Sequence, residues 1–285
     1  MIKVNKLYHD YEGKGNYAVE NITFRIARGK IFGFLGPSGA GKSTVQNIMT
    51  GLLPLQKGEV ELAGTSVSRL TRNFFNDIGY SFEQPNIYPK LTGYENLKYF
   101  AGLFSVPTEN PMKLLSMVGL GNAAHKRAGK YSKGMKVRLV FVRAIINNPK
   151  ILFLDEPLAG LDPSTAEVIK ELIREKRRQG TTIILTTHNM FAAEELCDSV
   201  AFLNEGKILA MDEPKELKLK YGERSVIVEY GPEGKLSEEE VFLDTDEGKD
   251  RLRELVGSER IRTMHTREAN LEQIFMKLTG RGLKG

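Results

Sequence analysis

Short apolar runs rich in β-branched residues alternate along the chain with segments of helical periodicity. The apolar runs include KIFGFLG, ILFLDE and TTIILTTH, and the helical segments that follow them include KSTVQNIMTGLL, PSTAEVIKELIREKRRQG and NMFAAEELCD. Alternating strands and helices are typical of α/β units, in which the strands form a largely parallel sheet. The pattern therefore predicts an α/β core with mainly parallel strands.

Three parts of the chain depart from this alternation. IKVNKLYH and VENITFRIA, with polar turns between them, predict an N-terminal antiparallel β part. Residues from about 92 to 147 lack strand-like runs, which predicts a helical insertion. After Gly222 the pattern restarts with RSVIVEY, an acidic SEEE stretch, the helix GKDRLRELVG, the strand RIRTM and the helix NLEQIFMKLTG. We therefore predict a domain at residues 1–222 and a small C-terminal α/β appendage at residues 223–285.

Composition excludes several classes of protein. The chain of 285 residues is 27% charged with a formal net charge of +5, which is ordinary for a globular protein. Its one cysteine, Cys197, excludes an internal disulfide and fits a reducing compartment. The first residues lack the apolar segment of a signal peptide, and no apolar run approaches the roughly 18 residues that span a bilayer. We therefore expect a cytoplasmic protein without a membrane span of its own.

A glycine-rich segment between a predicted strand and a predicted helix carries the strongest chemical signal. GPSGAGKS, residues 36–43, matches the Gly-x-x-x-x-Gly-Lys-Ser/Thr pattern of a phosphate-binding loop. In this pattern backbone N–H groups curl around the β-phosphate, Lys42 faces the β- and γ-phosphates, and the Ser43 hydroxyl can bind Mg²⁺. The alternative is a chance glycine-rich turn, which the strand–helix context disfavours. The predicted ATP-binding residues here are Gly36, Pro37, Ser38, Gly39, Ala40, Gly41, Lys42, Ser43 and Thr44.

Two carboxylates at the end of ILFLDE could complete this site. Asp155 ends the predicted strand, from where it could reach the magnesium shell, and Glu156 could orient or deprotonate the attacking water. His188 ends TTIILTTH, in the region where open α/β sheets bind ligands. The alternatives are an Asp-Glu pair that simply meets solvent and a structural histidine. Beside a phosphate-binding loop, we predict Glu156, His188 and Lys42 as the catalytic residues.

Five motifs in this order, GPSGAGKS, YSKGM, ILFLDE, LAGLD and TTH, resemble those of the ATP-binding-cassette (ABC) ATPases over roughly residues 1–220. The resemblance implies a P-loop NTPase core and two cassettes, identical or paralogous, that hold two ATP molecules head-to-tail between them. YSKGM corresponds to the signature motif that contacts the ATP of the second copy, through Ser132, Lys133, Gly134 and Met135. The resemblance further implies that Asp162 of LAGLD lies in the interface loop, and that His188 meets the γ-phosphate.

Two motifs depart from the family pattern. The usual signature is Leu-Ser-Gly-Gly-Gln, and here Lys133 replaces its first glycine; the ammonium either faces the phosphate or points to solvent. The family places a metal-contacting glutamine where this sequence has Glu83. The glutamine of this sequence, Gln84, lies one residue further along the chain. A carboxylate can still offer an oxygen to Mg²⁺, so Glu83 joins Ser43 and Asp155 as a predicted metal ligand.

The resemblance also implies the ligand contacts and partners. Tyr11 is predicted to stack on adenine, with Tyr8 and Tyr17 as rivals. The tail REANLEQIFMKLTGR resembles cassettes that serve ABC-2-type exporters, whose membrane-spanning subunits are separate chains. We therefore predict an ATPase that uses ATP and Mg²⁺ to power export through an integral membrane partner at the cytoplasmic face, with no nucleic-acid partner. The alternatives are an importer subunit and a soluble ABC ATPase that acts on nucleic acid or ribosomes, the latter favoured by basic residues within 126–138.

Overall fold

A computed structural model of the chain describes residues 2–232, 236–258 and 261–280. It divides into two units, Met1–Met211 and Asp212–Leu283. The division lies before Gly222, where the sequence pattern restarts, because the helix Pro214–Tyr221 packs against the closing helix Leu271–Thr279. The helix that precedes Gly222 therefore belongs with the second unit.

The first unit contains a six-stranded and a four-stranded sheet. Its strands are β1 (Ile2–His9), β2 (Val19–Ile26), β3 (Ile31–Leu35), β4 (Lys57–Leu62), β5 (Thr65–Ser66), β6 (Ile78–Ser81), β7 (Ile151–Asp155), β8 (Thr182–Thr187), β9 (Ser199–Asn204) and β10 (Lys207–Asp212). The six-stranded sheet has the order β10-β9-β3-β8-β7-β6, and its neighbours from β9 to β6 are parallel. β3 and β8 are buried at every position, as expected for parallel strands covered on both faces. The prediction of a parallel core is confirmed.

The four-stranded sheet is the N-terminal antiparallel part, with the order β2-β1-β4-β5. Val4 of β1 pairs with Phe24 of β2 on one side and with Val60 of β4 on the other. The ring of Phe24 stacks on Phe32 of β3 at 5.3 Å and meets Phe34 edge-on at 5.2 Å. Three fully buried rings thus join the two sheets into one core.

Six helices complete the first unit: α1 (Lys42–Met49), α2 (Gly93–Ala101), α3 (Pro111–Met117), α4 (Lys133–Ala144), α5 (Pro163–Arg178) and α6 (Met190–Leu196). α2, α3 and α4 form the helical insertion, together with short 3₁₀ turns. Within the insertion, the segment before α4 is fixed to the turn after α3 by buried Tyr131, whose hydroxyl donates to the Ala123 carbonyl at 2.6 Å. Residues 92–147 are therefore helical, as the missing strand signals predicted.

The second unit is a three-stranded antiparallel sheet with three helices. Its elements are α7 (Pro214–Tyr221), β11 (Ser225–Tyr230), β12 (Ser237–Phe242), α8 (Asp246–Ser258), β13 (Ile261–Arg267) and α9 (Leu271–Thr279), and the sheet order is β12-β11-β13. Val226, Val228, Val241 and Leu255 form its small core. This unit is α/β, as the sequence predicted, although the acidic SEEE stretch is a strand.

Candidate functional site

The phosphate-binding loop, residues 36–43, connects β3 to the first turn of α1. Gly41 precedes α1 with φ of 102°, and a Cβ there would lie 2.6 Å from the Ala18 carbonyl oxygen, so only glycine fits. The Lys42 ammonium donates hydrogen bonds to the carbonyl oxygens of Gly36 at 2.8 Å and Pro37 at 2.9 Å. The loop therefore holds its lysine, only 8% exposed, against its own backbone.

Asp155 brings a carboxylate to this loop from the end of β7. The Ser43 hydroxyl donates to its two oxygens at 3.4 and 3.3 Å, and Thr186 of the neighbouring strand β8 donates a short hydrogen bond to it. Burial raises the pKa of Asp155, although the hydrogen bonds from Thr186 and Ser43 work in the opposite direction. The two oxygen donors predicted to hold Mg²⁺ are therefore in direct contact.

Glu156 and His188 meet at the ends of the adjacent strands β7 and β8. The Glu156 carboxylate accepts the backbone N–H of His188 at 3.0 Å and the Thr187 hydroxyl at 3.0 Å, and it lies 2.8 Å from His188 Nδ1. Since a carboxylate only accepts, His188 Nδ1 must carry the proton in this contact. Glu156 has φ of 46°, in the left-handed region that only a few per cent of non-glycine residues adopt. The structure thus brings together Glu156, the predicted base, and His188, which is predicted to meet the γ-phosphate.

Lys42 links the loop electrostatically to three carboxylates. Burial lowers the pKa of the Lys42 ammonium, while Glu156, Asp155 and Glu83 raise it in that order. Glu83 follows β6, and its charge acts on Lys42 less strongly than the charges of Glu156 and Asp155 do. Its role as a metal ligand stays a prediction.

Tyr11 lies beside the same loop. Its hydroxyl is 3.0 Å from the Thr44 hydroxyl of α1, and its ring is 60% exposed. The rival rings of Tyr8 and Tyr17 pack against each other at 5.4 Å. Among the three tyrosines, Tyr11 therefore offers an exposed ring tied to a predicted ATP-binding residue.

The signature segment YSKGM begins α4. The Ser132 side chain caps this helix of 12 residues by accepting the Met135 backbone N–H at 3.2 Å. Gly134 faces Leu161: a Cβ at Gly134 would lie 3.6 Å from the leucine Cδ2. No hydrogen bond between described residues joins YSKGM to the phosphate-binding loop. The segment instead packs beside the loop that contains LAGLD.

Asp162 has a structural role that was not predicted from the sequence. It precedes α5, and its carboxylate accepts the Thr165 backbone N–H at 3.0 Å and the Ser164 hydroxyl at 2.7 Å. These hydrogen bonds hold the pKa of Asp162 well below its usual range. Asp162 therefore fixes the end of LAGLD while it remains exposed, and its place in an interface loop stays a prediction.

Thr186 and Thr187 are site residues that the sequence reading missed. Each hydroxyl donates to one of the two carboxylates at the neighbouring strand end. A signal was available, because two threonines end an otherwise apolar strand directly before His188. The sequence does not tell which acceptor each hydroxyl meets.

Comparisons with known proteins identify the family of the chain. The ABC transporter family matches residues 19–159, and the C-terminal domain of the nodulation factor export protein NodI matches residues 234–280. A fluoroquinolones export ATP-binding protein of Mycobacterium tuberculosis is 45% identical over 284 residues, which cover 99% of this chain and 94% of the relative. This chain belongs to the ABC transporter family. A Nod factor export ATP-binding protein of Burkholderia thailandensis is 34% identical over 300 residues, 99% of this chain and 97% of the relative.

Solved structures give the same result for the fold. The ATP-binding subunit of an ABC transporter has a TM-score of 0.71 at 27% identity and covers 78% of this chain and 93% of its own. A dimeric ATP-binding cassette in a post-hydrolysis state, bound to ADP and Pi, has a TM-score of 0.69 at 27% identity. The match covers 75% of this chain and 98% of that cassette. Three predictions are thereby confirmed: the P-loop NTPase fold, the ATPase activity and the role as the ATP-binding subunit of an ABC exporter.

Proposed function

We propose that two copies of this chain, or this chain and a paralogue, close head-to-tail on two ATP molecules and power export through a separate integral membrane subunit. The chain would lie on the cytoplasmic face of that membrane. The observation that carries the proposal is the junction of Ser43–Asp155 and Glu156–His188 at the ends of β7 and β8, beside the phosphate-binding loop. This arrangement supplies phosphate binding and an oriented base in one place.

Hydrolysis would use Glu156 as the base and Lys42 as the charge stabiliser. The Glu156 carboxylate accepts the proton of the attacking water, while the His188 backbone N–H and Nδ1–H and the Thr187 hydroxyl fix its orientation. The Lys42 ammonium exchanges the carbonyls of Gly36 and Pro37 for phosphate oxygens and stabilises the charge that develops there.

Mg²⁺ fits the oxygen donors at this place. Ser43 and Asp155 are in contact, the charge of Glu83 acts on Lys42 of the same loop, and Mg²⁺ prefers such hard oxygen ligands together with phosphate oxygens and water. No cluster of three His, Cys, Asp or Glu suited to a metal occurs among the described residues. We infer that these three residues hold the ion with the nucleotide, and that it neutralises phosphate charge when bound.

The signature segment would serve the ATP of the second copy. Ser132 begins α4, and the first turn of this helix has no acidic residue, so N–H groups and the positive end of the helix dipole are available to an anion. The dimeric structure of the related cassette supports the arrangement. ATP is therefore expected to hold two chains together, and hydrolysis to part them.

An apolar groove in the first unit offers a docking surface for the membrane subunit. The groove has a volume of about 480 Å³, and its apolar lining includes Leu52, Phe75, Phe82, Phe100 and Leu103. Leu52 is 56% and Leu103 52% exposed, although neither belongs to the phosphate site. No helix of the described residues is long and apolar enough to cross a membrane. A transporter subunit of this kind needs such a contact with a membrane-spanning chain.

The charges of the groove indicate the chemistry of the docking segment. Its lining includes Arg72 and Arg143 and no Asp or Glu. The Arg143 guanidinium donates to the carbonyl and side-chain oxygens of Asn86, packs over Phe100 at 4.4 Å, and has its pKa lowered to about 10 by burial. A short amphipathic helix with an apolar face and a carboxylate would complement the groove.

Purification of the chain from solubilised membranes tests the docking proposal. Leu52→Asp and Leu103→Asp place a charge in the groove, and each should reduce the co-purified integral membrane subunit by about tenfold or more. Val256→Asp is the matched control, since Val256 is 57% exposed in the second unit. Equal recovery of the membrane subunit with Leu52→Asp and Val256→Asp would refute docking at this groove.

A further inference from the structure

Lys133 makes a close approach to Gly160 that neither interpretation of its sequence position foresees. A Cβ built on Gly160 would lie 3.1 Å from Lys133 Cε, 3.3 Å from Nζ and 3.4 Å from Cδ. Three consecutive atoms of the lysine side chain therefore cross the face of a residue that has no side chain. The usual signature has glycine in place of this lysine, so the contact comes with the departure from the family pattern.

Gly160 is the middle of a loop whose two ends are fixed to functional groups. At the start of this 156–162 loop, Glu156 is hydrogen-bonded to His188; at its end, Asp162 caps α5. Between the ends, two backbone hydrogen bonds tighten the turn, from Ala159 to Glu156 at 3.1 Å and from Leu161 to Leu158 at 3.3 Å. Only three residues separate Gly160 from Glu156, so a shift of Gly160 would be passed to Glu156 through a short, hydrogen-bonded segment.

Packing, rather than charge, explains the position of Lys133. The residue is the first of α4, where a cation opposes the helix dipole, and the first turn contains no acidic residue to compensate. No ion pair to Lys133 occurs among the described residues. The apolar stem, in contrast, has a matching surface in Gly160, next to the contact of Leu161 with Gly134.

We propose that Lys133 is a positioning residue that couples the two ATP sites of the dimer. Its backbone belongs to the signature segment, which meets the ATP of the second copy, and its side chain holds the loop that carries Glu156, the base for the chain's own ATP. Binding of the second copy's ATP at α4 would therefore fix the position of the 156–162 loop. This inference rests on the proposed head-to-tail dimer.

The test compares Lys133→Gly, Lys133→Met and the control Lys136→Met in the full chain. Lys133→Gly restores the residue of the usual signature but removes the stem, and should lower kcat by up to about 100-fold, the scale that a misplacement of a catalytic group by about 1 Å can reach. It should also lower the Hill coefficient for ATP and leave ATP binding to the monomer within about twofold, because the phosphate-binding loop is untouched. Lys133→Met keeps an unbranched stem without charge and should retain more of the parental kcat and Hill coefficient than Lys133→Gly does.

A double-mutant cycle with Gly160→Ala isolates the contact itself. Gly160 has φ of 71°, so alanine there is strained in any background. That strain cancels in the cycle, whereas the tight contact of 3.1 to 3.4 Å between the new Cβ and the end of the Lys133 side chain does not. Gly160→Ala should therefore reduce kcat more in the parent than in Lys133→Gly. Additive effects of the two substitutions would overturn the proposal.

Two other results would also overturn it. Parental kcat and Hill coefficient in Lys133→Gly would show that the stem positions nothing. Equal losses in Lys133→Met and Lys133→Gly would assign the effect to the charge. If the head-to-tail dimer does not form, the result is different, because the Glu156→Gln protein would then stay monomeric with ATP. A Glu156→Gln dimer together with a parental Lys133→Gly enzyme would refute the coupling alone.

Discussion

Replacement of Glu156 by glutamine separates ATP binding from ATP hydrolysis in the proposed site. The carboxylate accepts three hydrogen bonds, two through Oε1 from His188 and one through Oε2 from the Thr187 hydroxyl. In Glu156→Gln the amide oxygen can keep both bonds from His188, and the amide N–H₂ can donate to the Thr187 hydroxyl, which also accepts. The shape of the site should therefore persist while the base is lost.

The magnitude follows from the role of the base. A positioned general base contributes about 10²- to 10⁴-fold to rate. That range corresponds to about 3 to 5 kcal/mol of barrier. Because the three hydrogen bonds remain, we expect the thermal midpoint of unfolding to change by no more than a few degrees. Hydrolysis should fall by at least about 100-fold in a protein that is folded and still binds ATP.

Phosphate release measures the loss of hydrolysis, and sedimentation velocity measures the association of two chains with ATP. ATP should accumulate between two Glu156→Gln chains and give a dimer, whereas ADP should leave monomer. The additional change Ser132→Arg should restore monomer with ATP bound, because its bulk and misplaced charge block the approach of the second copy. Hydrolysis within about threefold of the parent would refute Glu156 as the base. An ATP-saturated monomer of Glu156→Gln that also fails to pair with a paralogous cassette would refute the signature assignment.

Three further predictions concern other contacts. Lys42→Ala should abolish hydrolysis and strongly weaken binding of a fluorescent ATP analogue, since it removes the ammonium of the loop; undiminished turnover would exclude this site. Glu83→Gln should keep hydrolysis within a few-fold of the parent, about 1 kcal/mol, whereas Glu83→Ala should cost more; a silent Glu83→Ala with an inactive Gln84→Ala would move the contact to Gln84. For Asp198, burial alone would raise the pKa, but a backbone N–H and cations including Arg177 hold that pKa below its usual value. Its stabilisation is therefore complete above the unfolded pKa of about 3.9 and is lost as pH falls through the folded pKa. Asp198→Asn should lower the midpoint of thermal unfolding by a few degrees at pH 7, and the difference should shrink in acid; a constant difference would contradict the linkage.

The phosphate-binding loop and the strand ends were predictable because their signals are local. A glycine-rich turn between an apolar strand and a helix has few other uses, and parallel strands bring Asp155, Glu156 and His188 to one edge of the sheet. The antiparallel strands β1 and β2 were equally predictable, from two strand-like runs with polar turns between them, and their burial alternates in the structure. In each case the residues that carry the signal are neighbours in sequence.

The missed features depend on contacts between distant residues. β12 is acidic, yet it pairs with β11 along its whole length, and two of its carboxylates have cationic partners, Glu239 with Arg251 at 2.8 Å and Glu240 with Arg267 at 2.9 Å. A propensity scale assigns no strand to such a segment. The approach of Lys133 to Gly160 is equally invisible in the sequence, where the two residues lie in different motifs.

The charge at the site explains why nucleotide binding should need both the lysine and a divalent cation. Glu156, Asp155 and Glu83 oppose a single ammonium, and the partners of Lys42 in the loop are neutral carbonyl dipoles. Phosphate oxygens are stronger partners for that ammonium, which favours the exchange of carbonyl for phosphate. The same oxygens add negative charge beside three carboxylates, and one ammonium cannot balance them. Because a glutamine at Glu83 would leave only two carboxylates, this chain should depend on its metal at least as strongly as cassettes with the usual residue.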